Sequence, residues 1–223
     1  MYKGKSEVFI VAGGPSLKGF DFKSLQSKIT ITINKSIFHV PNPNYFITVD
    51  YSFLEKIGQV YVRELKQMDT TKIFVADMHY DYMVEDERGI RDIRKRKRSY
   101  NLSLFDVVIK SYEPKGFGYT FNDFRTGFNT GYCALQLAIS LGFQKIYLLG
   151  MDMCKDGEQT HYHRGYTIGG VSGAKLNKFY ECFKMGLKQI KSDDNDIQIF
   201  SCSNRSRLNG LIPYIDIEKA LED

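Results

Sequence analysis

Six short, largely apolar runs punctuate this chain, and they restrict its fold more than any other feature. They are Glu7–Ala12, Ile29–Ile33, Tyr45–Val49, Lys72–Ala76, Lys145–Leu149 and Asp196–Phe200. Runs this short with little polar alternation suit strands buried on both faces. Ile29–Ile33, "ITITI", is β-branched throughout, which favours the pleated conformation. Between the runs lie segments of helical period. Asn129–Leu141 is apolar at helical spacing and stops before Gly142, a C-terminal glycine signal. Lys175–Lys191 has the pattern of a long amphipathic helix. Strands alternating with helices predict an α/β fold of modified Rossmann-like type, a mainly parallel sheet with helices on both faces.

Residues 77–128 break this rhythm. They are rich in charge, Tyr, Gly and Asn, and Arg88–Arg98, "RGIRDIRKRKR", carries seven basic residues against one acidic. The expectation is a single domain over residues 1–223 with a basic insertion or lid at about 77–128. The run reads as a solvated face, as a lid closing on phosphates through arginine forks, or as a nucleic-acid surface. Tyr100 alone gives little aromatic interleaving, so nucleic acid is the weakest of the three.

Composition bounds the rest. The 223 residues carry a formal charge of +5, with 43% hydrophobic and 26% charged residues, ordinary for a globular protein and mildly suited to an anionic ligand. No apolar stretch approaches the length of a membrane span, and the N-terminus has no apolar signal core, so a cytoplasmic protein is expected. Cys133, Cys154, Cys182 and Cys202 show no CxxC spacing and read as small core residues of a reducing compartment.

The ends of the strands carry the chemistry. In an open parallel sheet, ligands sit beyond the carboxyl ends of the strands. The first strand runs into "GGPS", where Gly13 and Gly14 are able to take positive φ and admit a phosphate to the backbone, and Ser16 offers a hydroxyl. The pattern matches neither a dinucleotide nor a P-loop fingerprint. Asn34 follows the second strand and Asp50 the third, on the same edge. An asparagine there suits a ribose or base, an aspartate a sugar hydroxyl or hydrated cation. Thr126–Thr130 precedes a helix whose free N–H groups favour an anion, and Asp152 follows strand "KIYLLG". Ser203, Asn204, Ser206 and Arg207 lie beyond the last strand, placed to bond a base or phosphate.

Four stretches, "VFIVAGGPSL", "ITINKS", "NTGYCALQLAISLGFQKIYLLGMDM" and "IQIFSCSNRSRLN", in this order and spacing resemble the glycosyltransferase family 42 superfamily. It comprises bacterial sialyltransferases and relatives among Maf-type glycosyltransferases, 6-hydroxymethylpterin diphosphokinases and phage-encoded proteins. The resemblance covers the first 50 residues and residues 125–210. It implies a nucleotide-sugar donor such as CMP-sialic acid, a hydroxyl acceptor on a glycan or other molecule, a histidine base, no metal and a homo-oligomer. No apolar stripe in this chain marks an interface. By position, Gly13, Gly14, Ser16 and Asn34 would contact the nucleotide. Asn129, Thr130 and Gly131 would line the donor site, and Gly150 and Asp152 would hold the nucleotide sugar.

The chain departs from the pattern in three places. Gly13 and Asp50 each stand where the sialyltransferases carry Asn, and a carboxylate beside phosphates calls for a screening cation. The region ahead of the late helix, "GGVSGAKLNKFY", has no histidine. Instead "GEQTHYHRGY" supplies His161 and His163, similar to a His-aromatic-His element of the phage relatives. At i and i+2 on an extended segment the two point the same way, and either imidazole suits the removal of a hydroxyl proton near neutral pH. As metal ligands they would need a third partner such as Asp152 or Asp50. His39 and His79, without comparable neighbours, read as structural.

Three functions therefore stand. The first is a nucleotide-sugar-dependent glycosyltransferase with catalytic His161, His163 and Asp152. The second, implied by the pterin kinase relatives, is an ATP diphosphotransferase with Mg²⁺ held by Asp50 and Asp152. The third is a non-catalytic nucleotide or nucleic-acid binding module.

Overall fold

The computed structural model describes residues 7–51, 53, 62–79, 83–87, 89–92, 98–99, 102–163, 171–193 and 196–222. Seven strands form one sheet: β1 (Glu7–Val11), β2 (Thr30–Ile33), β3 (Tyr45–Thr48), β4 (Thr71–Asp77), β8 (Val107–Ser111), β9 (Lys145–Leu149) and β10 (Gln198–Ser201). Their order is β10-β9-β1-β2-β3-β4-β8, and every neighbouring pair is parallel. A second sheet is antiparallel, made of β5 (Met83–Asp86), β6 (Gly89–Asp92) and β7 (Arg98–Ser99).

The unbroken apolar runs are explained by cover on both faces. On one face, Val8, Ile10, Ile31, Ile33 and Ile47 meet α2 (Thr130–Ser140) and α3 (Gly173–Ser192). On the other, Phe9, Val11, Tyr147 and Leu149 pack with Leu17, Leu25 and Ala220 of α4 (Ile217–Glu222). Phe46 and Phe74 meet Leu65 of α1 (Val62–Gln67) there. A strand with no solvent-facing side has no polar alternation to show.

α2 starts at Asn129, whose side chain accepts from the Tyr132 amide at 3.1 Å, and Thr130–Ile139 are all buried. Gly142, just past its end, has φ +91°, as the glycine signal requires. A Cβ at Gly186 would overlap the Tyr132 hydroxyl, so this glycine lets α3 approach α2 closely.

Within 77–128 the sequence reading misses four strands, β5–β8. β8 lies beside β4 as the outer strand of the main sheet, although Val107 and Val108 are exposed and its pattern is mixed. The antiparallel strands β5–β7 carry part of the basic run: Arg91 pairs with Asp86, while positions 88 and 93–97 lie outside the described residues.

Candidate active site

All seven strands point one way, so their carboxyl ends share one edge. From β1 the chain winds outward through β2, β3, β4 and β8; β9 and β10 then lie on the opposite side of β1. The winding therefore reverses between β1 and β9, the place where open parallel sheets leave a ligand crevice.

At that place the two strand ends are locked together. The Gly14 amide donates to the Gly150 carbonyl at 2.8 Å. The Ser16 amide donates to Asp152 Oδ2 at 2.8 Å, and the Ser16 hydroxyl to Oδ1 at 2.7 Å. Asp152 is 2% exposed, so both oxygens of a buried carboxylate end on one residue. Neither Gly13 nor Gly14 has positive φ, contrary to the expectation for this turn. Gly14 is needed for space, since a Cβ there would overlap the Gly150 carbonyl and crowd Asp152. The positive φ belongs to Gly150, at +64°.

The histidine segment docks on the same turn. The Tyr162 amide donates to the Gly13 carbonyl at 3.0 Å, which brings His161 and His163 over Gly13, their ring centroids 5.5 Å apart. Thr160 Oγ1 lies 2.8 Å from His161 Nδ1 and accepts from the Val171 amide at 3.3 Å. Burial, with a smaller contribution from the Lys35 charge, lowers the His161 pKa to about 4. At neutral pH this imidazole is uncharged and keeps a basic nitrogen.

A third histidine, His39, read from the sequence as structural and without comparable neighbours, packs against this pair. Its ring stacks on His163 with centroids 5.9 Å apart and 10° between planes, and meets Tyr162 edge-on at 5.2 Å. Phe22 closes the group, 5.4 Å from Tyr162 and 5.8 Å from His39. His39 is lowered in pKa by burial and by Lys35. Its position at the end of the 3-10 turn Asn34–Phe38 places it on the β2 side of the crevice. Only its distance of five residues from Asn34 signals this in the sequence.

Along the edge, Asn34 and Asp50 are joined through Thr48, whose hydroxyl donates to Asn34 Oδ1 at 2.8 Å and accepts from the Asp50 amide at 3.0 Å. Asp77 ends β4 in the same row, one residue past the predicted strand. Burial raises its pKa, and the Thr126 hydroxyl lies 3.5 Å from its Oδ2. The recurring strand-end aspartate of "ITVD" and "GMD" is the signal that would have found it. Asn34, Phe128 and Met153, with φ of +51°, +56° and +54°, border this edge. Non-glycine residues so held concentrate at functional sites. Gly131 sits against Met151, where a Cβ would overlap the thioether, so Thr130 and the first turn of α2 reach the β9 end.

The loop after β10 closes the edge from the far side. The Ser206 hydroxyl donates to the Met151 carbonyl at 2.8 Å, and the Arg207 amide to the Asp152 carbonyl at 3.0 Å. The Arg207 guanidinium lies 4.5 Å from the Tyr180 ring centroid and donates to Asn177 at 2.7 Å. Ser203 is 2% exposed, and its hydroxyl has no partner among the described residues. The strand-end residues foreseen from the sequence thus occupy one edge, while the roles of Ser16, Asn129 and Asp152 in local bonding were not foreseen.

The acidic residues of this edge are not gathered into a metal cluster. Both Asp152 oxygens are taken by Ser16, and among the described residues no three His, Cys, Asp or Glu side chains are grouped to hold a metal.

Solved structures share this architecture. The Campylobacter jejuni sialyltransferase CstII in complex with the substrate analogue CMP-3FNeuAc matches with a TM-score of 0.52 at 14% identity, over 94% of this chain and 86% of that one. The C. jejuni α-2,3-sialyltransferase Cst-I matches with a TM-score of 0.60 at 17% identity, over 96% and 82%. The chain shares its α/β fold with these structures. A C. jejuni α-2,3-sialyltransferase in apo form matches with a TM-score of 0.52 at 18% identity, over 96% and 81%. No family model matches the sequence, and no curated protein matches it. Among the described residues, no helix is long and apolar enough to cross a membrane.

Proposed function

We propose that this chain is a sialyltransferase-like glycosyltransferase that moves a sugar from a nucleotide donor to an acceptor hydroxyl. The observation that carries the reading is the seat of His161 and His163 on the β1 turn, at the sheet's winding reversal. The fold is shared with sialyltransferases solved with CMP or a CMP-sugar analogue. The donor nucleotide lies along Gly13–Ser16, Asn34 and Asp50 on one side and Thr130, Gly131 and Gly150 on the other, with Ser203 and Arg207 at its end. Ser16 and Asp152 shape this crevice through their mutual bonds rather than by direct reaction.

In the transfer, His161 or His163 takes the acceptor hydroxyl proton as the oxygen bonds to the anomeric carbon. The bond from that carbon to the donor phosphate oxygen breaks, and its electron pair leaves with the nucleotide. A neutral imidazole has the lone pair this step needs. Its low resting pKa rises as negative charge gathers on the leaving phosphate, and the nearby Lys35 stabilises that charge. The acceptor is a hydroxyl of a glycan or another molecule.

Thermal shift with CMP, UDP, GDP and ATP, each with and without Mg²⁺, tests the reading. Stabilisation by CMP alone, roughly 5–10 °C at a hundredfold excess over Kd, is expected without metal. Replacing both His161 and His163 by Ala should preserve that shift and abolish release of CMP from CMP-sialic acid. Stabilisation by ATP only with Mg²⁺ would favour diphosphate transfer, and no shift with any nucleotide would overturn both.

A further inference from the structure

Gly13 has an ordinary backbone conformation, so its missing side chain answers to space rather than to φ. The space is already occupied. A Cβ built on Gly13 would stand 2.9 Å from His161 Cδ2 and 3.2 Å from His163 Nε2. Real carbon contacts at the first distance are essentially never tolerated, and at the second they require the neighbour to yield. The two imidazoles thus converge, from residues two apart, on the point where a side chain of residue 13 would begin. Their segment cannot simply lift away, because the Tyr162 amide is bonded to the Gly13 carbonyl at 3.0 Å. Nor can the His161 ring turn freely, since Thr160 holds its Nδ1 side at 2.8 Å.

We infer that Gly13 is a positioning residue for the histidine pair: its lack of a side chain is the socket that seats His161 and His163 on the β1 turn. A side chain at position 13 and this seating of the imidazoles exclude one another. The group facing a ligand at the end of β1 is therefore an imidazole edge rather than a side chain of the turn. That makes residue 13 a determinant of what the turn can address: a hydroxyl whose proton an imidazole can accept, instead of a group held by a side-chain amide. The catalytic meaning of this rests on the proposed glycosyl transfer, whereas the seating itself does not.

The test uses the intact chain and needs no substrate. Gly13→Ala should lower Tm by roughly 2–8 °C, as overpacking of one site does. In the His161→Ala, His163→Ala background the same substitution should have no effect, because the clash has been removed. In parallel, NMR titration of His161 in Gly13→Ala should show its pKa rising from about 4 toward 6.5 as the ring is displaced from its buried seat. Should Gly13→Ala destabilise both backgrounds equally, or leave the His161 titration unchanged, the socket is wrong. If Gly13→Ala does not fold alone, recovery of folding by the two histidine substitutions supports the inference, and failure to recover overturns it. A lack of any shift with CMP in the unsubstituted chain would count against the proposed function instead and leaves the socket untouched.

Discussion

Ser16 and Asp152, 136 positions apart in sequence, form a two-point clasp in which the serine amide and hydroxyl take one carboxylate oxygen each. With Gly14 bonded to Gly150 beside it, the clasp fixes the ends of β1 and β9 where the sheet changes its direction of winding. The crevice we propose for the donor is therefore bounded by a hydrogen-bonded join and not by two independent loops.

Breaking the clasp should cost stability before it costs chemistry. Hydrogen bonds to a charged group contribute more than neutral ones, and a buried carboxylate stripped of a partner is costly. Asp152→Ala is expected to lose about 2–4 kcal/mol and Ser16→Ala about 1.5–3 kcal/mol. The double variant should lose less than the sum, since both remove the same bond. Urea denaturation measures all three; additive losses would show that Asp152 acts through other partners.

Two glycines predict opposite outcomes for the same substitution. Gly14→Ala drives a methyl into the Gly150 carbonyl, a backbone atom with no room to retreat, and should cost roughly 3 kcal/mol or more. Gly173→Ala meets nothing within 4 Å at the start of α3, and should stabilise by roughly 0.5–1 kcal/mol. Parallel denaturation curves compare the two directly, and equal effects would contradict the packing described.

The histidine segment predicts an acid-sensitive part of the fold. Folded His161 titrates near 4 against an ordinary value of 6.5. Between those pH values the unfolded chain holds a proton that the folded chain does not. The contribution is complete above pH 6.5 and is lost as pH falls toward 4, up to about 3 kcal/mol in all. His161→Gln should flatten that part of the stability curve. Thr160→Val should alter the His161 ring-nitrogen shifts by freeing its tautomer, and Thr160→Ser should restore them; unchanged shifts in the valine variant would remove Thr160 from this role.

Much of the fold was open to sequence reasoning because buried parallel strands announce themselves. Glu7–Ala12 and Lys145–Leu149 have no solvent face, so no other element competes for them. β8 escaped because an outer strand with exposed Val107 and Val108 has neither an unbroken apolar run nor clean alternation. The common edge of Asn34, Asp50 and Asp152 was legible because residues that follow parallel strands must fall on one edge. The packing of His39 on His163 was not legible, because a residue capping a 3-10 turn carries no periodic signal of where its ring will point.

The residues alone were sufficient to establish the parallel architecture and the edge that carries the polar groups, since both follow from local pattern and strand direction. Only packing in three dimensions decided what each group does there. Asp152 is spent on Ser16, Gly14 makes room for Gly150, and Gly13 makes room for two imidazoles. Each of these depends on which atoms distant segments bring within a few ångströms, and periodicity along the chain holds no record of that.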